Sequence, residues 1–253
     1  LGMMILSRVI GGGMALARAE LTGPSLSRLR PKLKQTAFAL WGLYLFLTFL
    51  EFVLLYFSGS MSVFDSVNHA LTTMPSGGFS TRDASIGFYD SFLVESIIIV
   101  FMFLAGVNFT LLWFIRDGDF KRAFGDEEFR NYVVYIAAGV LAVFAALVAS
   151  GTSAGRSLRN SMFQVISIGT STGYTSTDYM DASWPLVTHL ILFILMVVGA
   201  SAGSTSGGLK LLRVTLAFKV AMRELVRIAQ PRKVEQIRMN GEVVEQNQIG
   251  LIV

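Results

Sequence analysis

Two short runs of hydroxyls, glycine and an aromatic ring carry the most suggestive chemistry in this chain: Ser76-Gly77-Gly78-Phe79-Ser80 and Thr172-Gly173-Tyr174-Thr175. A dehydrated alkali cation must recover several oxygen contacts, and neutral backbone carbonyls are the usual donors. Glycine permits the dihedral angles that aim successive carbonyls the same way. Gly78 and Gly173 are therefore the first candidates to hold a cation. Ser76, Ser80, Thr172 and Thr175 can add oxygens or brace the strand. Phe79 and Tyr174 are expected as packing wedges behind it. Asp83 and Asp178 follow on the outer side, where a carboxylate either concentrates cations or caps and pairs locally, for instance with Arg82.

The two runs are parts of one repeated segment. Phe64–Asp83 (FDSVNHALTTMPSGGFSTRD) and Arg159–Asp178 (RNSMFQVISIGTSTGYTSTD) align without gaps at an offset of 95 positions. The alignment places Ser66 on Ser161, Ser76 on Ser171, Gly78 on Gly173, Phe79 on Tyr174 and Asp83 on Asp178. Each copy reads as a half-length helix running into an extended, ion-coordinating strand: Val63–Met74 then Pro75–Arg82, and Ser157–Gly169 then Thr170–Thr177. Ser66 or Asp65 is the expected cap of the first short helix, and Asn160 or Ser161 of the second. Two amphipathic loops lying on the outer surface are the plainer reading. The matched pattern in both copies favours re-entrant segments that line a watery path.

The surrounding chain has the composition of a membrane protein. It is 53% hydrophobic and 15% charged, where soluble domains carry about 25% charged residues. Ala37–Ser58, Phe92–Ile115, Tyr132–Ser150 and Pro185–Ala200 are apolar runs near the roughly 20 residues a spanning helix needs, and the last continues past a polar break to about Val220. Leu1–Ala17 reads as the inner end of another span and not as a signal peptide. Of the 21 Lys and Arg, most fall in 18–34, 116–130 and 210–238. Short basic loops stay in the cytoplasm, so these three stretches are inside and the repeated segments face outside. Orienting charge explains these stretches better than nucleic-acid binding. The division that follows is 1–17, the end of a preceding inner span; 18–36, a cytoplasmic loop; 37–115, a first repeat with its strand near 75–82; 116–131, a second cytoplasmic loop; 132–220, a second repeat with its strand near 170–177; and 221–253, a cytoplasmic segment. The fold class is an all-α polytopic membrane protein of tandem span–short helix–strand–span repeats.

Both inward spans are interrupted. Ala105-Gly106-Val107-Asn108 breaks the first at mid-depth, and Gly199–Gly208 (GASAGSTSGG) followed by Lys210 breaks the second. A run of only Gly, Ala, Ser and Thr is poor helix material, and its unpaired backbone must face protein or water. It is either a close helix-packing face or an intramembrane loop below the filter, with Gly199, Gly203, Ser204, Thr205, Gly207, Gly208 and Lys210 as its gate residues. Lys210 either opposes cation passage or snorkels to the boundary. A phosphate loop is excluded, since Lys210 comes one residue late, Leu211 stands where Ser or Thr is required, and the tract lies inside a span. The two histidines, His69 and His189, lack partners at metal-ligand spacing. Without cysteine there is no disulfide or thiolate site. No catalytic constellation appears, and the expectation is a non-enzyme without a cofactor. Glu51 and Glu95 are intramembrane ionisable groups: Glu95 lies near the outer boundary and reads as solvated, and Glu51 has no partner that the sequence names.

MPSGGFSTRDASIG, GTSTGYTSTD, GASAGSTSGGLKLLRV and RELVRIAQP resemble the Trk/Ktr/HKT superfamily of potassium transporters, most closely its bacterial Trk-type membrane subunits, over nearly the whole chain. The resemblance implies potassium uptake across the bacterial inner membrane by passive conduction. It implies a filter of Ser76, Gly77, Gly78, Phe79, Thr172, Gly173, Tyr174 and Thr175, with potassium at Gly78 and Gly173, and a gate at 199–208. It also implies a homodimer in the lipid bilayer that binds a cytoplasmic, nucleotide-binding regulatory subunit. Family members carry four such repeats around one pore, and these two resemble the second and third, so a fragment of a longer protein is expected. Pro75 and Gly77, opposite Thr170 and Thr172, make the two strands unequal, which is expected to lower selectivity. A cation-coupled secondary transporter (a symporter) with broken helices and a sodium-permeable member of the same family stay open as alternatives.

Overall fold

The computed structural model describes residues 33–181, 183–230, 237–240 and 242–243. The expected span end at Leu1–Ala17, nearly all of the loop at 18–36 and most of the chain beyond 230 lie outside the described residues.

Among the described residues, the order is α1 (Leu33–Phe57), α2 (Val63–Thr73), a 3-10 turn (Ser85–Tyr89), α3 (Phe92–Ala105), α4 (Phe109–Arg116), α5 (Phe120–Gly125), α6 (Glu127–Ala149), α7 (Ala154–Gly169), α8 (Leu186–Val198) and α9 (Leu211–Ala229). A two-residue antiparallel pair, β1 (Arg238–Met239) and β2 (Glu242–Val243), follows with Arg238 opposite Val243. The molecule is an all-α polytopic membrane protein. Among the described residues, two helices are long and apolar enough to cross a bilayer alone: Ala37–Phe57 within α1, and α6. α2, at 11 residues, is about 16 Å long at 1.5 Å per residue and cannot cross.

The helix starts differ from the expected ones. α2 is capped by Ser62, whose hydroxyl accepts from the Asp65 N–H and donates to the Asp65 carboxylate at 2.9 Å. Ser66 instead donates back to the Ser62 carbonyl. α7 starts at Ala154 after Ser153, so Asn160 and Ser161 lie inside it.

Phe92–Ile115, expected as a span interrupted at 105–108, is two helices. α3 and α4 meet at 105° around Gly106-Val107-Asn108, and the Asn108 side chain caps α4 by accepting from the Thr110 N–H at 2.9 Å. The last run is likewise broken. α8 is 13 residues long, an irregular loop follows, and α9 is amphipathic: Leu212 and Leu216 are buried, whereas Phe218, Met222, Leu225 and Ile228 are exposed between basic residues.

α1 packs on α2 and α3, α6 packs on α7 and α8, and α3 packs on α7, which joins the two repeats. One core runs through both, including Met74, Ile98, Met102, Tyr132, Ile136, Phe163, Tyr174 and Leu195. Lipid tails are as apolar as these side chains, so close packing and internal hydrogen bonds, more than water exclusion, hold the spans together. The outer faces of α1 and α8 are exposed and apolar (Leu45, Phe46, Phe49, Phe57; Leu190, Phe193, Ile194), as lipid contact requires.

Candidate cation filter and intramembrane loop

The two repeated turns share one backbone pattern. Ser76 N–H donates to the Thr73 carbonyl at 2.8 Å, and Gly77 and Gly78 both donate to the Thr72 carbonyl at 2.8 and 3.1 Å. At the matching positions, Ser171 donates to Ile168 at 2.9 Å, and Thr172 and Gly173 both donate to Ser167 at 2.9 and 3.2 Å. Ser76 and Ser171 have left-handed φ of 56° and 59°, and Gly78 and Gly173 have 64° and 85°. A short polar residue tolerates this region at some cost, and glycine at little. These amides turn back onto the short helices.

Gly78 lies against the second strand. A Cβ built there would stand 1.7 Å from the Thr172 carbonyl oxygen. The carbonyl of Thr172 therefore points at Gly78, which brings the expected filter positions of the two repeats together.

Each strand is braced by its short helix through hydroxyls that the sequence pattern did not single out. Thr72 Oγ1 donates to the Phe79 carbonyl at 2.8 Å, and Ser167 Oγ donates to the Tyr174 carbonyl at 2.7 Å. Thr72 and Ser167 are partners in the ungapped alignment, and that match was the available signal. One helical turn earlier, the matched pair His69 and Gln164 hold the outer ends. His69 Nδ1 lies 2.7 Å from the Asp65 carbonyl, which can only accept, so Nε2 accepts from Ser80 Oγ at 3.0 Å in the neutral ring. Gln164 Nε2 donates to the Thr177 carbonyl at 3.3 Å. Ser80 is thus a brace. Thr172 Oγ1 pairs with Thr170 Oγ1 at 2.9 Å, a bond that Pro75 and Gly77 cannot make in the first copy. Thr175 is held by the 3-10 turn, its carbonyl accepting from Gly87 N–H at 3.1 Å and its N–H donating to Ser85 Oγ at 3.3 Å.

The two aromatic residues part company. Tyr174 is fully buried, with its hydroxyl 2.6 Å from Thr72 Oγ1 and 3.2 Å from the His69 carbonyl, so the second strand is wedged onto the first short helix. Phe79, expected as the same kind of wedge, is 76% exposed among the described residues.

Gly199–Gly208 is a loop, not a helix-packing face. Its ends cross where Gly199 (φ 72°) meets Gly208 (φ 83°), and Leu209 N–H donates to the Val197 carbonyl at 3.0 Å. The loop docks on the break between α3 and α4, and each interruption satisfies the other's backbone. Ser201 N–H donates to Gly106, Thr205 N–H to Ala105 and Phe109 N–H to the Gly203 carbonyl, at 3.1, 3.2 and 3.2 Å. Ser204 closes a local turn onto Ser201. Thr205 Oγ1 reaches the first repeated turn, 2.7 Å from the Met74 carbonyl and 3.1 Å from Ser76 Oγ. Gly207 reaches the second, its Cα facing Ser171 so closely that a Cβ would lie 3.4 Å from Ser171 Oγ. The loop therefore spans both turns. Lys210 Nζ donates to the Ser206 carbonyl within the loop.

At the outer rim, Glu95 is not solvated. It is buried and held by Arg159 in two bonds, Nε to Oε2 at 2.7 Å and Nη2 to Oε1 at 3.0 Å, a paired geometry that ties α7 to α3. Arg82 pairs with Asp65 at 3.0 Å and not with Asp83. The Thr81 hydroxyl, with Ser62 and Arg82 adding, holds the Asp65 carboxyl down at about 2, so it stays ionised at the outer end of α2. Asp178 accepts from Met180 N–H at 2.9 Å, which is a capping role. Glu51 is fully buried, and among the described residues neither carboxyl oxygen is hydrogen-bonded; Thr73 is within its electrostatic reach, but its hydroxyl donates to the His69 carbonyl at 2.7 Å.

A family model described as a cation transport protein (TrkH) matches residues 1–251. The Trk system potassium uptake protein TrkH of Vibrio parahaemolyticus is 36% identical over 247 residues, covering 95% of this chain and 50% of the relative. The protein of the same name from Escherichia coli K12 is 38% identical over 242 residues, covering 92% and 48%. The crystal structure of the potassium transporter TrkH from Vibrio parahaemolyticus superposes with a TM-score of 0.86 at 32% identity, covering 99% of this chain and 52% of that one. The chain thus spans about half the length of the relatives it matches. Matched along nearly its whole length by family model, sequence and fold, the chain belongs to the TrkH family of cation transport proteins.

Proposed function

We propose that the full-length protein takes up potassium across the bacterial inner membrane by passive conduction through a filter, and that this chain supplies two of its repeats. The observation that carries the reading is the matched pair of turns, with the Thr172 carbonyl aimed at Gly78 across the two strands. Gly78 and Gly173 place carbonyls on the ion. Ser76, Gly77, Thr172 and Thr175 complete the strands, Tyr174 wedges the second, and Phe79 projects from the first. The loop at 199–208 is the gate, since it sits against the inner end of both turns. Carbonyl rings select by replacing the hydration shell, and potassium is the ion named for the relatives. The basic segments at 116–130 and 210–238 face the cytoplasm in this reading, and the repeated segments face outward. The resemblance extends the proposal to a homodimer and to a cytoplasmic nucleotide-binding regulatory subunit, with Arg223 and Arg227 of α9 as contact candidates.

The paired breaks also support a second reading. Discontinuous helices that meet at mid-depth are the usual architecture of coupled transporters, and α3–α4 and the 199–208 loop fit that description. Rubidium uptake by the full-length protein in proteoliposomes separates the two. With sodium and proton gradients collapsed by ionophores, passive conduction predicts rubidium entry down its own gradient at an undiminished rate. Uptake that stops when those gradients are removed would establish the coupled transporter instead.

A further inference from the structure

The intramembrane loop is held from below by a buried carboxylate on another element. Glu128, in the first turn of α6, is buried, and its Oε1 accepts the Ala202 N–H at 2.5 Å. Ala202 lies in the loop beside Ser201 and Gly203, the residues whose backbone docks on the α3–α4 break. Asn108, the residue that turns α3 into α4, and Lys210 at the loop's exit both lie within electrostatic reach of Glu128. One carboxylate therefore faces the break, the loop and the loop's anchor on α9. Ala202 is buried, so its N–H left without an acceptor would be costly.

The residues beside Glu128 are tied to the cytoplasmic end. Glu127 N–H donates to Asn240 Oδ1 at 2.7 Å, Asn240 N–H donates to Glu127 Oε2 at 3.2 Å, and Asn240 Nδ2 donates to Asp126 Oδ2 at 2.8 Å. Lys219 of α9 pairs with Glu127. The turn between β1 and β2 is thus bonded to the residues next to the carboxylate that grips the loop.

We propose that Glu128 is a positioning residue of the gate: its carboxyl group latches the 199–208 loop against the filter's inner end. The latch rests on the reading of that loop as the gate of a conducting filter. Glu128 touches no ion; it acts through Ala202.

The test is single-channel recording of the full-length protein in planar bilayers with potassium as the permeant ion. Glu128→Ala raises open probability by about tenfold, equivalent to about 1.4 kcal/mol in the loop's equilibrium. Single-channel conductance and the potassium-over-sodium preference stay at wild-type values, because the filter is braced by α2 and α7 and not by α6. Glu128→Gln keeps an acceptor oxygen in the same shape and raises open probability by a smaller factor. A merely structural role would lower the amount of active protein and leave open probability alone. Where Glu128→Ala is lost in purification, Glu128→Gln decides: a raised open probability supports the latch, and an unchanged one overturns it. Wild-type currents with unaltered gating in both variants refute the latch alone. No unitary current from wild-type protein removes the conducting filter on which the latch rests.

Discussion

Rubidium uptake falls by roughly tenfold or more when Gly78 is replaced by alanine in the full-length protein, since each 1.36 kcal/mol added to a barrier is a factor of ten. Two effects add at this residue. Its φ of 64° lies in the left-handed region, which disfavours an L side chain by about 1–2 kcal/mol. The new Cβ would also stand 1.7 Å from the Thr172 carbonyl oxygen. That neighbour is backbone, so no rotamer change relieves the contact. The second strand has to shift, although Thr172 and Gly173 are both bonded to the Ser167 carbonyl at 2.9 and 3.2 Å. The strand displaced also carries Gly173, whose carbonyl is proposed to face the ion, so potassium preference over sodium is lost together with rate. Gly59 provides the control. It has a similar φ of 73° with nothing within 4 Å of an added Cβ, so Gly59→Ala carries the backbone strain away from the strands and retains uptake close to wild type. Uptake and selectivity are measured in proteoliposomes at matched protein content. Wild-type selectivity in Gly78→Ala would mean that this strand does not line the path.

Gly199→Ala acts in the opposite direction. A Cβ at Gly199 would lie 2.3 Å from the Gly207 carbonyl oxygen and 3.0 Å from the Gly208 Cα, at a φ of 72°. The two ends of the loop cannot cross at that spacing, so the neck opens and strains the bond from Leu209 N–H to the Val197 carbonyl. Thr205 then withdraws from Met74 and Ser76. Basal rubidium flux without any regulatory partner is expected to rise by about tenfold, the change in rate that 1.36 kcal/mol gives. Selectivity is retained, because the filter turns are bonded to α2 and α7. Gly151→Ala, at a φ of 92° with nothing within 4 Å of the added carbon, carries backbone strain without touching the loop and leaves basal flux unchanged. A Gly199→Ala protein that folds but conducts less than wild type would contradict a gating role for the neck.

Much of this site is legible in the sequence because it is local and repeated. The match of Phe64–Asp83 with Arg159–Asp178 reappears in the structure as the same bonds, the same left-handed residues and the same strand braces. The glycine-rich tract at 199–208 marks a loop because few other residues leave a hydrophobic run so short of helix formers. What stays hidden depends on partners far away in sequence. Glu95 reads as solvated until Arg159, 64 positions on, closes over it. Ala105–Asn108 marks where the first inward span is interrupted. The 105° angle, though, is fixed by bonds to Ser201, Gly203 and Thr205 nearly a hundred residues away. Thr72 and Ser167 look like ordinary helix hydroxyls, and only the strand folding back over them gives them acceptors. Hydrophobicity alone ends the last run near Val220, whereas the helix continues to Ala229 as an amphipathic element whose period carries the signal.

Anomalous diffraction from crystals of the full-length protein grown in rubidium tests the central claim most directly. The account predicts a rubidium peak in contact with the strand carbonyls near Gly78 and Gly173, outward of Thr205, and its loss in Gly78→Ala. A well-ordered filter with no peak there, or a peak bound at the breaks around Asn108 and Gly203 instead, would contradict it.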